Sequence, residues 1–404
     1  MSVALSRTEW RAGLSLAAIF ALRMLGLFLI LPVFTLYAPN LSGGDNKLLV
    51  GLALGAYAGV QALLQMLWGA ASDRWGRKPV IAAGLLLFAL GGGIAALADN
   101  IWQVILGRAV QGAGAVSAAV TALAADLTHE TKRARVMAMI GAAIGLVFAL
   151  SMAIASPLFH WIGMPGIFWT TSVAALLAIF LLFFCTPDPD AAARPSLTSS
   201  AFQWRALADA QILRLNAGVF FLHCTQMALW IIVPAAISTV ARLPAELHWQ
   251  IYLPAVLVAL VAMIPAIIAA EKKGKMKQVL TGAILLLLVT LGGLYATGLF
   301  LFGTFAAWAF FFCLALFFTA FNILEATQPS LISRLASAHS RGAALGLYNT
   351  FQSLGLFMGG AAGGALAQHG GAGAVLTFSA LLIILWLALA AGLDPYARKT
   401  TERS

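Results

Sequence analysis

Four ionisable side chains stand inside stretches that are otherwise apolar: Arg23, Arg108, His223 and Glu325. A charged group in such a setting is costly, so each is a candidate for work on protons or on a polar ligand. Glu325 is the only carboxyl well inside an apolar stretch. Asn322 and Gln328 lie three residues to either side of it, on one face of a helix. A carboxyl withdrawn from water holds its proton more readily, which suits a proton carrier near neutral pH. The plain alternative is a glutamate that hydrogen-bonds between helices and never titrates. His223 forms a second stripe with Gln226 and Trp230, and an imidazole changes charge near physiological pH. A lone histidine on an apolar helix is more often a satisfied structural residue. Arg23 needs a partner or a water-filled cavity, and Glu325 is the candidate partner. Tyr57, Gln61 and Gln65 make a further polar stripe, as do Tyr348, Asn349 and Gln352. Such stripes either line a cavity for a partly polar substrate or cement neighbouring helices.

The elements that hold these residues are long apolar runs. Of the 404 residues, 62% are hydrophobic and 9% charged, against about 25% charged in a soluble domain. Apolar runs fall at about 14–37, 48–71, 79–98, 102–125, 136–159, 166–186, 215–240, 249–270, 278–301, 305–331, 342–367 and 372–393, each long enough to cross a bilayer. The first is too long for a cleaved leader. Glu325 falls about seven residues past the middle of its run, roughly 10 Å along a helix. All but four of the 24 Lys and Arg fall on one side of the membrane when the runs alternate in direction. Lys47 and Arg242 fall on the other side, and Arg23 and Arg108 lie within runs. This split predicts both termini in the cytoplasm, and it explains a net charge of +10 without any nucleic-acid partner.

The chain divides into bundles at 1–186 and 215–395. A Pro- and Ser-containing cytoplasmic linker at 187–214 joins them, with a short surface helix expected over Phe202–Leu213, and 396–404 forms a cytoplasmic tail. Cys185, Cys224 and Cys313 form no Cys-x-x-Cys pair, so no metal site or disulfide framework is indicated. No Walker motif or catalytic constellation appears, which argues against ATP as the driver and against an enzyme. Gly51, Gly55 and Gly59, and likewise Gly355, Gly359 and Gly363, are spaced for close helix packing.

The second and third runs are joined by Gly69-Ala-Ala-Ser-Asp73-Arg74-Trp-Gly76-Arg77-Lys78-Pro79, a short charged turn. The spacing repeats in altered form at Glu271-Lys272-Lys273-Gly274-Lys275, 198 residues later. Lys132-Arg133 before the fifth run is echoed by Ser340-Arg341 before the eleventh. The Gly-x-x-x-Asp-Arg-x-Gly-Arg-Lys turn resembles the loop 2–3 signature of the major facilitator superfamily. Gly107-Arg108-Ala-Val-Gln111-Gly112-Ala-Gly114 is similar to that family's second motif. Gly141, Gly145 and Ser156-Pro157 resemble its antiporter motif, with Ser156 where glycine usually precedes the proline. Leu22-Arg23-Met24-Leu25-Gly26, Ala125-Asp126-Leu127-Thr128 and Phe321-Asn322-Ile323-Leu324-Glu325-Ala326 resemble the YajR-type branch of its drug:proton antiporters. The similarity runs to about residue 395. That branch carries a further soluble domain, in whose place only Asp394–Ser404 is expected here.

The resemblance implies an all-α membrane protein of 12 transmembrane helices, in two six-helix bundles related by a pseudo-two-fold axis, with a substrate site between the repeats. It implies a role for Arg108 in proton or substrate handling. It also implies a conformational gate of Gly69, Asp73, Arg74, Gly76, Arg77 and Lys78, in which Arg77 pairs with Asp126 and Asp73 faces a helix N-terminus. The expected function is a proton-coupled transporter of the bacterial inner membrane. It would export a small amphipathic compound as a monomer, with protons and the lipid bilayer as its other partners and no cofactor. Proton coupling and the cavity would rest on Glu325, His223, Arg108, Arg23, Asn322, Gln61, Tyr57, Asn349, Gln352 and Trp230. The alternatives are a sugar or metabolite transporter of the same fold, or a membrane receptor or scaffold that does not transport.

Overall fold

A computed structural model describes residues 5–114, 116–188, 209–336 and 341–394. Among them the chain is helical, with no strand and one isolated bridge between Ser42 and Asn100. In chain order the helices are α1 (Arg7–Phe28), α2 (Phe34–Tyr37), α3 (Lys47–Trp75), α4 (Arg77–Ala96), α5 (Ile101–Ala113), α6 (Ser117–Asp126) and α7 (Arg133–Phe184). They continue as α8 (Ala210–Thr239), α9 (Trp249–Lys272), α10 (Met276–Phe300), α11 (Gly303–Leu335) and α12 (Arg341–Ala391). Ten helical stretches are long and apolar enough to cross a membrane, α5 and α6 counting as one. Two of the ten are each broken by one glycine in a non-helical conformation, Gly163 (φ 66°, ψ 179°) in α7 and Gly371 (φ 66°, ψ −163°) in α12. These breaks fall between the fifth and sixth and between the eleventh and twelfth apolar runs, so the ten stretches are consistent with twelve spans.

The helix ends follow local chemistry. The Ser6 hydroxyl accepts from Glu9 N, and the Glu9 carboxylate accepts from Ser6 N, a capping box that starts α1 at Arg7, well before the apolar run begins. The same helix stops at Phe28, ahead of Pro32, which has no N–H to continue the ladder. Asn100 caps α5 through Gln103 N, and Asp209 caps α8 through Gln211 N and Ile212 N. The surface helix expected over Phe202–Leu213 lies largely outside the described residues. Its described end belongs to α8 and the cap of that helix.

The chain forms two compact units, one of Met1–Asp45 with Ala56–Thr198, the other of Asn46–Gly55 with Ser199–Ser404. In the first, α1 packs along α7 and α4 against both α5 and α7. Leu16, Phe20, Ile81, Leu85, Leu123 and Leu182 are among the residues that form its apolar core. In the second, α8 packs along α12 and α11 lies beside α9 and α10. Apolar surface gives little drive for association in lipid, so close backbone approach must hold the helices. A Cβ at Gly355 would lie 2.5 Å from Phe220 O, and one at Gly359 would lie 2.2 Å from Cys224 O. This glycine seam fixes the register of α12 on α8.

Candidate functional site

Two buried polar clusters arise, one in each unit. In the first unit the glycines of the α5 motif come before the arginine. A Cβ at Gly112 would lie 2.2 Å from Tyr57 O, so α5 runs directly against the α3 backbone. Arg108, one turn earlier on α5, is thereby laid over the Tyr57 ring, its Cζ 5.1 Å from the ring centroid. Arg23 approaches the same ring at 5.9 Å. Both guanidiniums are buried, at 3% exposure for Arg23 and 1% for Arg108. Arg23 Nη2 donates to Tyr57 Oη and, at 3.1 Å, to Gln61 Oε1, and its Nη1 donates to Ser117 Oγ. Arg108 Nη1 donates to Gln111 Oε1 at 2.9 Å, and Gln111 Nε2 donates to Thr171 Oγ1 at 3.1 Å. Arg108 Nε and Nη2 and Arg23 Nε meet no protein acceptor among the described residues. The acceptors Arg23 finds among the described residues are neutral and belong to its own unit.

In the second unit the α12–α8 seam brings Gln352 to His223. His223 Nδ1 lies 3.0 Å from Val219 O, which places the proton of a neutral ring on Nδ1. Its Nε2 then accepts from Gln352 Nε2 at 2.9 Å. The same amide reaches Glu325 Oε2 at 3.5 Å. His223 Nε2 stands 3.3 Å from Glu325 Oε1. That separation is within ion-pair reach, although this oxygen takes no hydrogen bond in the arrangement seen. A carboxyl, an imidazole and an amide thus share one contact point, and moving one proton there exchanges a neutral pair for an ion pair.

Asn322, Glu325 and Gln328 are not bonded to one another: Glu325 turns to α8 and α12, Gln328 is fully buried, and Asn322 Nδ2 has no protein acceptor. Trp230 is buried against Tyr252, ring centroids 5.7 Å apart, and Asn349 is exposed. Tyr348 is buried beside them on α12, and Gln65 and Gln226 are also buried. A cavity of about 350 Å³ opens in the second unit against Ile231, Val240, Leu294, Phe310 and Lys47. None of Glu325, His223 and Gln352 lines it, so it lies apart from the titratable groups. Sequence reasoning did not single out Ser117 or Thr171, since nothing in their spacing marks a hydroxyl that accepts from a distant guanidinium or amide.

The charged turn forms a third group, in the first unit. Gly76 (φ 95°) turns the chain between α3 and α4. Arg77 Nε donates to Asp126 Oδ2 at 2.8 Å, and Arg77 Nη1 donates to Ser72 Oγ at 2.7 Å and to Asp73 Oδ1. Arg74 is exposed. Lys78 turns away from the group and donates to Thr186 O at 2.7 Å, with Asp188 at the same distance. Nothing crowds Gly69, where a Cβ would find its nearest neighbour at 3.9 Å. In the second unit Gly274 (φ 67°) turns the chain between α9 and α10 as Gly76 does between α3 and α4. There Glu271 accepts from Ser330 Oγ at 2.8 Å and pairs with Arg334.

Residues 16–324 match the sequence model described as Major Facilitator Superfamily. The chain is 39% identical over 385 residues to the inner membrane transport protein YajR of Escherichia coli (strain K12), covering 95% of this chain and 83% of that protein. It is 28% identical over 352 residues to the multidrug resistance protein MdtH of Yersinia enterocolitica, covering 84% of this chain and 82% of that one. Among solved structures a D-xylose–proton symporter superposes with a TM-score of 0.74 at 15% identity, over 95% of this chain and 98% of the other.

Proposed function

The chain belongs to the major facilitator superfamily of membrane transporters, and from that premise we propose that it exports a small amphipathic organic compound in exchange for protons, by alternating access. The observation that carries the proton half of the reading is the contact of Glu325 with His223 and Gln352. Glu325 is the one carboxyl deep in an apolar run, and it sits against a titratable ring. Proton uptake at the pair would neutralise the carboxylate, and proton loss would restore a charge that a bound polar group can stabilise. The similarity to a multidrug resistance protein supports an apolar or amphipathic cargo.

In this reading Arg77, Asp73 and Asp126 stabilise one conformation of the first unit, and the exchange cycle breaks and remakes their contacts. The protein would work as a monomer in the bacterial inner membrane with both termini in the cytoplasm. The test is flux in proteoliposomes under an imposed pH gradient, across a panel of labelled amphipathic compounds. Accumulation that collapses with a protonophore supports the reading. Accumulation indifferent to the pH gradient removes proton coupling from it.

A further inference from the structure

Arg23 and Arg108 present a charge imbalance that the first unit does not resolve from within. No Asp or Glu occurs between Gly13 and Gly44, between Ala56 and Ser72, between Arg74 and Ala98, between Asn100 and Ala125, or between Thr131 and Pro187. Every helix interior of this unit therefore lacks a carboxyl, while two buried guanidiniums approach one tyrosine ring. A buried cation without a counter-charge is strongly disfavoured, and neutral acceptors offset only part of the cost. The acceptors on Arg23 are all neutral: Tyr57, Gln61 and Ser117. Arg108 has one, Gln111, and keeps Nε and Nη2 without a protein acceptor.

From this we infer that the first unit binds an organic anion, a carboxylate or similar oxyanion on an apolar body, with Arg23 as its principal contact. Gln61 and Ser117, which cap the Arg23 nitrogens, are only half-buried. An oxyanion that displaces them replaces neutral hydrogen bonds with charge-assisted ones of roughly twice the strength. The planar guanidinium fork matches a carboxylate at two points, which an ammonium cannot do. Arg108 adds a second positive charge and unfilled donors beside the same ring. Tyr57, which both guanidiniums approach, packs edge to face on the buried Phe88, with ring centroids 6.1 Å apart. The inference rests on the transport reading for its purpose, and it assigns that reading a cargo class.

The test uses the purified full chain in detergent and a matched series of probes, the phenylalkanoates from phenylacetate to phenyloctanoate. Each is compared with the amine and the alcohol of the same carbon skeleton, and binding is read by thermal shift and calorimetry. Carboxylates should stabilise the protein saturably where their amine and alcohol counterparts do not. Arg23→Gln should weaken carboxylate binding by about tenfold or more, the range set by charged hydrogen bonds, and Arg23→Lys should give an intermediate loss. Gln61→Ala, which leaves both arginines in place, should tighten carboxylate binding a few-fold by uncapping Arg23. A series in which no carboxylate outperforms its amine, or in which Arg23→Gln and Gln61→Ala leave carboxylate binding unchanged, overturns the inference. Carboxylate binding without proton-driven flux leaves the anion site standing and removes the transport reading. Proton-driven flux of an amine that survives Arg23→Gln does the reverse.

Discussion

His223 Nε2 and Glu325 Oε1 lie 3.3 Å apart, with the Gln352 amide touching both side chains. The carboxyl comes from α11, the ring from α8 and the amide from α12, so three helices must keep their relative register for the contact to exist.

The first prediction concerns this contact. Glu325→Gln keeps the shape and removes the titration, so pH-driven flux in proteoliposomes should be lost while exchange at equal pH persists. His223→Gln should shift the pH profile of flux without abolishing it, and Gln352→Ala should weaken both. Full pH-driven accumulation by Glu325→Gln would move the proton site elsewhere, with His223 next in line.

A second prediction follows from Arg77 and Asp126. Their side chains are 14% and 17% exposed and 2.8 Å apart. Arg77→Asp and Asp126→Arg should each lower the melting temperature and the flux. The double variant should recover part of both, with a coupling of about 0.5–3 kcal/mol. Strict additivity of the two single losses would show that the pair does not act as a unit.

The charge split yields a third. In a background with Cys185, Cys224 and Cys313 replaced, a cysteine at Asp45 should react with an impermeant maleimide added to intact cells. One at Lys273 should react only after the cells are opened. The opposite pattern would invert the whole topology.

The fourth concerns the two breaks. Gly163 and Gly371 occupy a region of backbone space open essentially to glycine alone. Gly163→Ala and Gly371→Ala should therefore each cost about 1–3 kcal/mol, seen as earlier thermal unfolding in detergent. An unchanged melt would mean that the chain can turn there in another conformation.

The apolar runs were legible because hydrocarbon thickness imposes a length on every helix, and charged residues can collect only between runs. The turn at Gly76 was legible because the motif spacing is short and local, and the pairing of Arg77 with Asp126, 49 residues apart, only through the family resemblance. What a single face of one helix suggests proved less dependable. Asn322, Glu325 and Gln328 share a face, yet Glu325 meets His223 and Gln352 while the Gln328 amide finds no protein partner among the described residues. The acceptors of Arg23 within its own unit, the neutral groups on α3 and α6, carry no mark in the sequence as its partners. Those contacts depend on which helices lie side by side, which here is set by glycines such as Gly112 and Gly359. A glycine in the sequence does not say which backbone it admits.

The breaks at Gly163 and Gly371 bear on how the chain is made as well as how it is held. A single positive-φ glycine between two long apolar arms leaves almost no loop between them. The two arms within residues 133–184, and likewise within 341–391, are therefore expected to enter the bilayer together. A ribosome that stalls between the arms would leave an apolar helix with its partner still unsynthesised.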